Sequence, residues 1–376
     1  MRPILRFTHF TDDYIESKLK NYVAIYDGTH ETPNYVDNGI KFISVENIKN
    51  LLKTDKYIPE NDYNKYKIKP KYNDVFMTRI GDIGTPAIYK SNDPIGYYVS
   101  LALLRSKNES LLYPDYLKQY ISNQKFQKEL HDRTIHVAFP KKINTGEIGE
   151  CNIKIPSYNE QIKISNFLSL LDKKIELQSK KIEDLKLFKK GLIHQMKKSS
   201  NDWVEYKVSE IFKITRGIVI PKTDLSENKI NKYIYPVYSS QTSNNGILGY
   251  DEKFDFDGKY LTWTTDGANA GKVFFRNGKF RCTNVCGVLY NDSNNYVNEL
   301  TADLLNYETP KHVSYTGNPK LMNNIMGDIK VFLPDIDESD RVSNILLTIN
   351  NKFLLEKNKL SKLNELKNGL IKCMFI

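Results

Sequence analysis

The strongest constraint on this chain is that part of it is written twice. Pro156 to Met196 aligns without gaps with Pro334 to Met374 at a constant offset of 178, and 14 of the 41 aligned positions are identical. Two unrelated Lys- and Leu-rich helices would share about three or four by composition. A second match lies upstream at an offset of 189: Tyr14 to Leu19 faces Trp203 to Val208, and the same register pairs Ile25 with Ile214 and Gly28 with Gly217. Weaker echoes pair Asp82-Ile83-Gly84-Thr85 with Asn269-Ala270-Gly271-Lys272, and His136-Val137-Ala138-Phe139 with His312-Val313-Ser314-Tyr315. Each repeat is a variable block followed by a similar helix of about 40 residues.

The helix reading rests on spacing. Positions 168, 171, 175, 178, 182, 185, 189, 192 and 196 alternate by three and four and read Leu, Leu, Ile, Gln, Ile, Leu, Lys, Leu, Met. The second copy reads Leu346, Ile349, Phe353, Glu356, Leu360, Leu363, Lys367, Leu370, Met374. This is a coiled-coil seam with its polar interruptions at matched places. The apolar seam residues are Leu168, Leu171, Ile175, Ile182, Leu185 and Leu192 against Leu346, Ile349, Phe353, Leu360, Leu363 and Leu370. Ser157-x-x-Glu160 and Asp335-x-x-Glu338 have the capping-box pattern just after a proline. Gly191 and Gly369 interrupt the helices; a close backbone crossing or fraying near the ends would explain them. The competing reading is two unrelated amphipathic helices, each packed on its own domain.

Chain path then sets direction. The first helix passes into the second block after only Lys197 to Asp202, so a second helix packed along it must run antiparallel and bring Met1 near Ile376. About 35 helical residues span ~50 Å. After overlap at the ends, two equivalent surfaces would lie roughly one DNA turn, ~34 Å, apart.

The blocks read as α/β. Lys41 to Val45, Gly96 to Leu104 and Lys272 to Phe275 are strand-like, the last followed by a turn at Arg276-Asn277-Gly278, and Tyr116 to Leu130 suits a helix. The expected architecture is two α/β domains, 1–155 and 201–333, separated by a long antiparallel two-helix coiled coil, 156–200 and 334–376, with a pseudo-two-fold internal repeat. Gly-rich turns follow a strand in both blocks, at Thr78 to Thr85 and Thr264 to Lys272. They serve either as tight strand connections or to present Arg79, Thr265 and Asn269 to base edges, where Arg reads guanine and Asn adenine. The second turn is one residue short of a phosphate loop and lacks its hydroxyl, so nucleotide binding is rejected. Tyr238 to Gly246 is a polar loop of the same kind. His136 and His312 suit structural roles, or contact with backbone phosphate.

The formal net charge is +10, from 55 Lys+Arg against 45 Asp+Glu, which points to a polyanionic partner. The Lys residues are spread along the chain, so no disordered basic arm is indicated. Four cysteines are too few for a disulfide scaffold, and Cys282-x3-Cys286 has no second pair for zinc, so no metal is expected. No apolar run approaches the ~18 residues of a membrane span, and Met1 to Arg6 has no signal-peptide character; a cytoplasmic protein is the expectation. Catalytic signatures are missing. There is no Asn/Asp-Pro-Pro-aromatic site, no Walker A motif and no metal-binding His spacing, and Glu205-Tyr206-Lys207 lacks an acidic partner for nuclease chemistry. No catalytic residue is assigned.

This organisation resembles the specificity subunit of type I restriction-modification systems over essentially the whole chain. The residues that carry the likeness are Pro156 to Gln161 through Lys190 to Met196, Leu333-Pro334 through Asn368 to Ile371, Val208 to Gly217, and Tyr238 to Gln241. Asp337-Glu338-Ser339-Asp340 departs from the Glu-Gln pair seen at Glu160-Gln161, which implies a different contact at the second helix start. The resemblance implies a non-catalytic subunit whose blocks each read one half of a bipartite, asymmetric double-stranded DNA target. The helices would set the gap and dock two methyltransferase (modification) subunits, which carry S-adenosylmethionine and methylate an adenine in each half-site. Restriction (motor-nuclease) subunits using ATP and Mg2+ join in some systems. This chain itself would bind no cofactor. The DNA-contacting candidates are Thr78, Arg79, Lys141, Lys142, Arg216, Ser240, Gln241, Thr265, Asn269, Lys272, His312 and Lys320. The alternative is a coiled-coil scaffold with incidental basic charge.

Overall fold

The computed structural model of the protein describes residues 3–199 and 202–375. It divides into two compact units, Met1–Ser179 with Asn358–Ile376, and Lys180–Lys357. The division passes through both long helices, Tyr158–Ser199 and Ile336–Met374, so each unit holds one block and part of each helix. No helix among the described residues is long and apolar enough to cross a membrane.

In the first unit, four antiparallel strands lie in the order Val23–Asp27, Leu101–Ser106, Val75–Ile80, Asp82–Ile88. The central strands are apolar almost without alternation because both their faces are covered. Val75, Met77, Ala102 and Leu104 enter one cluster with Tyr116 and Tyr120. Phe76, Leu101 and Leu103 enter another with Ile43, Ile95 and Tyr97. The two-residue period of a strand sorts one apolar run into two cores. A three-stranded sheet, Tyr57–Ile58, Ile40–Ile43 and Ile95–Tyr97, supplies part of the second cluster.

In the second unit, six strands lie in the order Lys213–Arg216, Cys286–Tyr290, Phe256–Thr264, Val273–Cys282, Tyr235–Tyr238, Ile247–Asp251. Its first four match the four-stranded sheet in chain order and pairing. Leu261 and Trp263 face the main core, while Phe280, Cys282, Cys286 and Val288 form a smaller cluster. Both cysteines are free thiols. The hydrogen bond with Cys286, then burial, push the Cys282 thiol far above its ordinary range. Among the described residues no group of three or more His, Cys, Asp and Glu could hold a metal.

Both repeat offsets reappear as geometry. Ile15 pairs with Ile155 and Val204 with Leu333, in antiparallel two-stranded ladders of the same register. Leu19 N–H donates to the Cys151 carbonyl (2.9 Å) and Val208 N–H to the Ile329 carbonyl (3.0 Å); both side chains are fully buried. Gly28 and Gly217 mark close approaches of two backbones. A Cβ at Gly28 would lie 2.5 Å from the Tyr97 carbonyl oxygen, and one at Gly217 1.9 Å from that of Cys282.

Every seam position named from the sequence is buried or half-buried, and most of the intervening positions are exposed. Within the second unit Lys181 pairs with Glu356 (2.8 Å) and Lys189 with Asn350 (2.7 Å), so the two helical segments run antiparallel there. Within the first unit Lys367 pairs with Asp172, and Ile371 and Met374 share a core with Ile164 and Leu168, giving the same direction. Met1 and Ile376 lie outside the described residues. Their neighbourhoods do meet: Leu5 N–H donates to the Cys373 carbonyl (2.9 Å). The polar interruptions are thus tied off. Lys367 binds Asp172, which also accepts from Gln119 Nε2 (2.8 Å). At the corresponding place Lys189 binds Asn350 and Asp303.

Several local expectations are corrected. Gly96 to Leu104 is two strands, because the chain turns at Tyr98–Ser100 to pass from one sheet to the other. Tyr116 to Leu130 is two helices, Pro114–Ile121 and Gln124–Asp132, since the Asn123 side chain caps the second by accepting from Lys125 N–H (3.0 Å). Arg276-Asn277-Gly278 is no turn: the strand runs on to Cys282, and Gly278 pairs with Gly258 across the ladder, both with positive φ. Glu160 closes no capping box. It is fully buried and receives Arg6 Nη2 (2.7 Å), Arg6 Nε (2.8 Å) and the Tyr14 hydroxyl (3.1 Å). Burial, then the Glu160 charge, raise the Tyr14 phenol. The second helix does cap as expected on that side, Asp335 Oδ1 accepting from Glu338 N–H (2.9 Å). Gly191 and Gly369 would carry a Cβ into open space, so no backbone crossing accounts for them.

The departure at Ser339 has a structural consequence. Gln161 reaches the Leu111 and Pro156 carbonyls (2.9 and 3.0 Å) and receives Tyr113 N–H (2.8 Å). Ser339, at the equivalent position, is too short for that and instead receives Asn298 Nδ2 (3.0 Å).

Candidate nucleic-acid interface

Each block builds the same small platform from the turn after a strand and a loop that returns beside it. In the first block Ile143 N–H donates to the Arg79 carbonyl (3.0 Å), Gly81 N–H to Lys141 (2.8 Å), Ile135 N–H to Lys142 (2.8 Å), and Thr85 N–H to Thr78 Oγ1 (2.9 Å). In the second block Leu321 N–H donates to the Thr265 carbonyl (2.8 Å), Gly267 N–H to Pro319 (2.9 Å), Ser314 N–H to Lys320 (2.9 Å), and Lys272 N–H to Thr264 Oγ1 (3.0 Å). Gly84 and Gly271 close the turns at φ +90° and +88°, a region that favours glycine. The turn echo read from the sequence is therefore a matched structure. The histidine echo is not. The hydrogen bonds pair Ile135 with Ser314, which places His136 opposite Tyr315. His312 ends the 3-10 turn Thr309–His312, before its loop begins.

The platforms gather Thr78, Arg79, Lys141 and Lys142 in one block and Thr265, Asn269, Lys272 and Lys320 in the other. Their side chains have different roles. Arg79 is only 5% exposed; its guanidinium bonds to Asp27, to the Ile143 carbonyl (3.0 Å) and to the Val99 carbonyl (3.2 Å). It anchors the loop stem and presents nothing to a base. Thr78 is buried and donates to Asp82 (3.2 Å). Thr265 is buried and donates to Asp266 (2.5 Å). Lys141, Lys142, Asn269, Lys272 and Lys320 are exposed, with Lys320 3.9 Å from Asp266.

The remaining candidates lie apart from the second platform's bonds. Arg216 is exposed and donates to Asn323 (3.0 Å). His312 is exposed. Ser240 is half-buried, and Gln241 is tied to the Ile247 carbonyl inside its own loop. Beside that loop sits a residue that its sequence neighbourhood did not single out. Arg276 is 4% exposed, stacks over Tyr238 (3.6 Å) and Phe274 (4.4 Å), and donates to Thr262 Oγ1 (3.1 Å). Burial lowers its pKa. Among the described residues no carboxylate pairs with it; two aromatic faces take that place. Also missed were the loop tips, where Val137, Phe139 and Tyr315 stand exposed. Lone apolar residues between turn signals gave no cue that they would face outward.

Comparison with known proteins agrees with this duplicated design. The type I restriction modification DNA specificity domain matches the chain twice, at residues 24–187 and 200–365. The N-terminal part of a type I specificity subunit from Mycoplasma pneumoniae is 40% identical over 144 residues, covering 38% of this chain and 75% of that protein. Another type I specificity subunit from the same organism is 32% identical over 208 residues, covering 54% of this chain and 82% of that protein. A third is 38% identical over 146 residues, where the match spans only 39% of either chain. In fold, the chain is similar to the crystal structure of the type I restriction-modification S subunit from M. genitalium, with a TM-score of 0.69 at 16% identity over 100% of this chain and 99% of that one. The chain belongs to the type I restriction-modification DNA specificity family, carries two target-recognition domains, and is a non-catalytic specificity subunit.

Proposed function

We propose that the two domains read the two halves of a bipartite, asymmetric double-stranded DNA target, one domain per half-site. The observation that supports this best is the platform itself: four corresponding hydrogen bonds hold two loops of different sequence. A shared frame with unlike tips suits reading of unlike half-sites. The paired helices set the number of unread base pairs between the halves and dock two modification subunits. S-adenosylmethionine belongs to those subunits, and ATP and Mg2+ to restriction subunits where the system has them; the complex works in the cytoplasm.

Salt-dependent gel shifts on the chain assembled with its modification subunits test this. A reader making several phosphate contacts loses affinity steeply as salt rises, by about 10³-fold or more between 50 and 200 mM for six contacts. Affinity for duplex DNA that is absent, or flat in salt, while the modification subunits still dock, would leave only the scaffold reading. Lengthening both helices by four residues, ~6 Å of helix, is expected to shift the preferred gap by about two base pairs.

A further inference from the structure

The loop of the first platform, residues 136–141, holds two apolar side chains entirely in solvent: Val137 is 97% exposed and Phe139 103%, relative to a free residue. Lone exposed apolar residues are common, but two at the tip of one short loop are not explained by packing, because neither touches its own domain. The stem beneath them is held firmly. Ile135 and Lys142 bridge each other, Lys142 also bridges Ile80, and buried Arg79 ties down the Ile143 carbonyl. His136 is fixed against the His131 carbonyl (2.9 Å). The tip is thus presented from a fixed base.

We propose that Phe139, supported by Val137, is a wedge pressed into the base stack of the first half-site, with Lys141 and Lys142 on the flanking phosphates. This rests on the DNA-reading function above and names how one loop carries it out. Two features favour duplex DNA as the occupant. Both lysines beside the tip are exposed, and among the described residues neither pairs with a carboxylate. The second domain builds the same stem and again holds an aromatic outside, Tyr315 at 68% exposure, beside exposed Lys320. An apolar side chain inserted at a base step gains stacking that it lacks in water, and adjacent cations neutralise phosphates. The second tip, Tyr315-Thr316-Gly317-Asn318, is polar apart from one ring, so wedging is assigned to the first domain alone.

The test uses the chain assembled with its modification subunits and duplexes containing the target mapped by methylation sequencing of the host genome, with 2-aminopurine placed in turn at each position of both half-sites. Apart from the adenine of each half-site that the modification subunits flip out to methylate, the wild-type complex is expected to raise the fluorescence at one further step, in one half-site only. Phe139→Ala, which removes only exposed atoms, is expected to abolish that rise and weaken binding about 10- to 100-fold, the range for losing one stacked base, with the salt slope unchanged. Phe139→Trp is expected to keep the rise. Lys141→Ala with Lys142→Ala is expected to keep the rise and reduce the salt slope by about two. No rise beyond the methylated adenines, together with wild-type affinity for Phe139→Ala, would overturn the wedge while leaving DNA reading intact. Loss of the modification subunits from Phe139→Ala in gel filtration, with DNA affinity retained, would overturn it in favour of a protein contact. A wild-type complex that binds no DNA would instead sink the function on which the wedge rests.

Discussion

The two recognition domains share their loop stems and differ in their tips and in what lies beneath them. Under the first stem sits a buried arginine; under the second, Thr265, whose hydroxyl turns to its neighbour Asp266. The backbone bonds are the same in both. A duplicated scaffold therefore tolerates replacement of its internal anchor as long as the carbonyl that receives the returning chain stays in place. What diverged freely is the loop beyond that carbonyl, where no core constrains the residue type.

The largest expected effect breaks that comparison directly. Arg79→Ala leaves Asp27 and two carbonyls without a buried donor, and is expected to destabilise the first unit by about 3 kcal/mol. Thr265→Ala, at the corresponding position, is expected to cost about 1 kcal/mol. Hydrogen exchange resolved by unit would read both. An Arg79→Ala protein with unchanged protection but altered DNA sequence preference would return Arg79 to base reading.

The polar layers of the helix seam offer a second contrast, with opposite signs in pH. In the first unit, burial works to raise the pKa of Asp172, but hydrogen bonds from Lys367 and Gln119 and the charges of Lys367 and Lys118 outweigh it and hold the carboxyl below its usual range. A lowered folded pKa gives stability that is present above the unfolded value and is lost as pH falls through the folded one. In the second unit, burial raises Asp303, only partly opposed by Lys189, and burial with the neighbouring Asp303 charge raises Glu299. Lys189 Nζ donates to Asp303 Oδ1 (2.8 Å) and sits 2.6 Å from Oδ2. Raised carboxyls stabilise the fold below their unfolded pKa, and that contribution disappears as pH rises through the folded pKa. On acidification from neutral pH, the second layer is expected to tighten first. The first layer is expected to loosen only below the ordinary carboxylate range. Asp172→Ala is expected to cost about 2 kcal/mol at pH 7 and to remove the acid-side loss. Exchange rates of the flanking helix amides across pH 3–7 would check the order, and loosening of both layers together would contradict it.

The smallest effect separates helix interior from helix contact. Gly191→Ala and Gly369→Ala place a methyl in open space, so each is expected to stabilise by about 0.5–1 kcal/mol. Thermal melts should rise slightly for both. A loss at either site would mean that a partner surface approaches there.

Much of this was readable because its signals are local or periodic. A seam spaced by three and four residues needs no knowledge of the partner helix to declare its buried face, and each of its positions is covered. Matching offsets carried the ladder registers of Ile15–Ile155 and Val204–Leu333, since a repeated segment folds into repeated pairings. The failures share another cause. Glu160 has the spacing of a cap, yet a half-buried arginine and a buried tyrosine from a distant segment claim it. Arg79 has the chemistry of a guanine reader, yet a carboxylate and two carbonyls engage it inside the domain. Gly278 has the look of a turn, yet a partner strand carries the chain straight through.

The amino-acid order alone determined that there would be two similar units, which faces of the long helices would meet, and that the chain would lack an enzyme's motifs, because repetition and periodicity are properties of the string. Tertiary structure decided which polar groups face inward and which loop tips face water. Whether an arginine serves DNA or its own core depends on which acceptors lie within hydrogen-bond reach of it, and those acceptors arrive from segments 20 to 64 residues away.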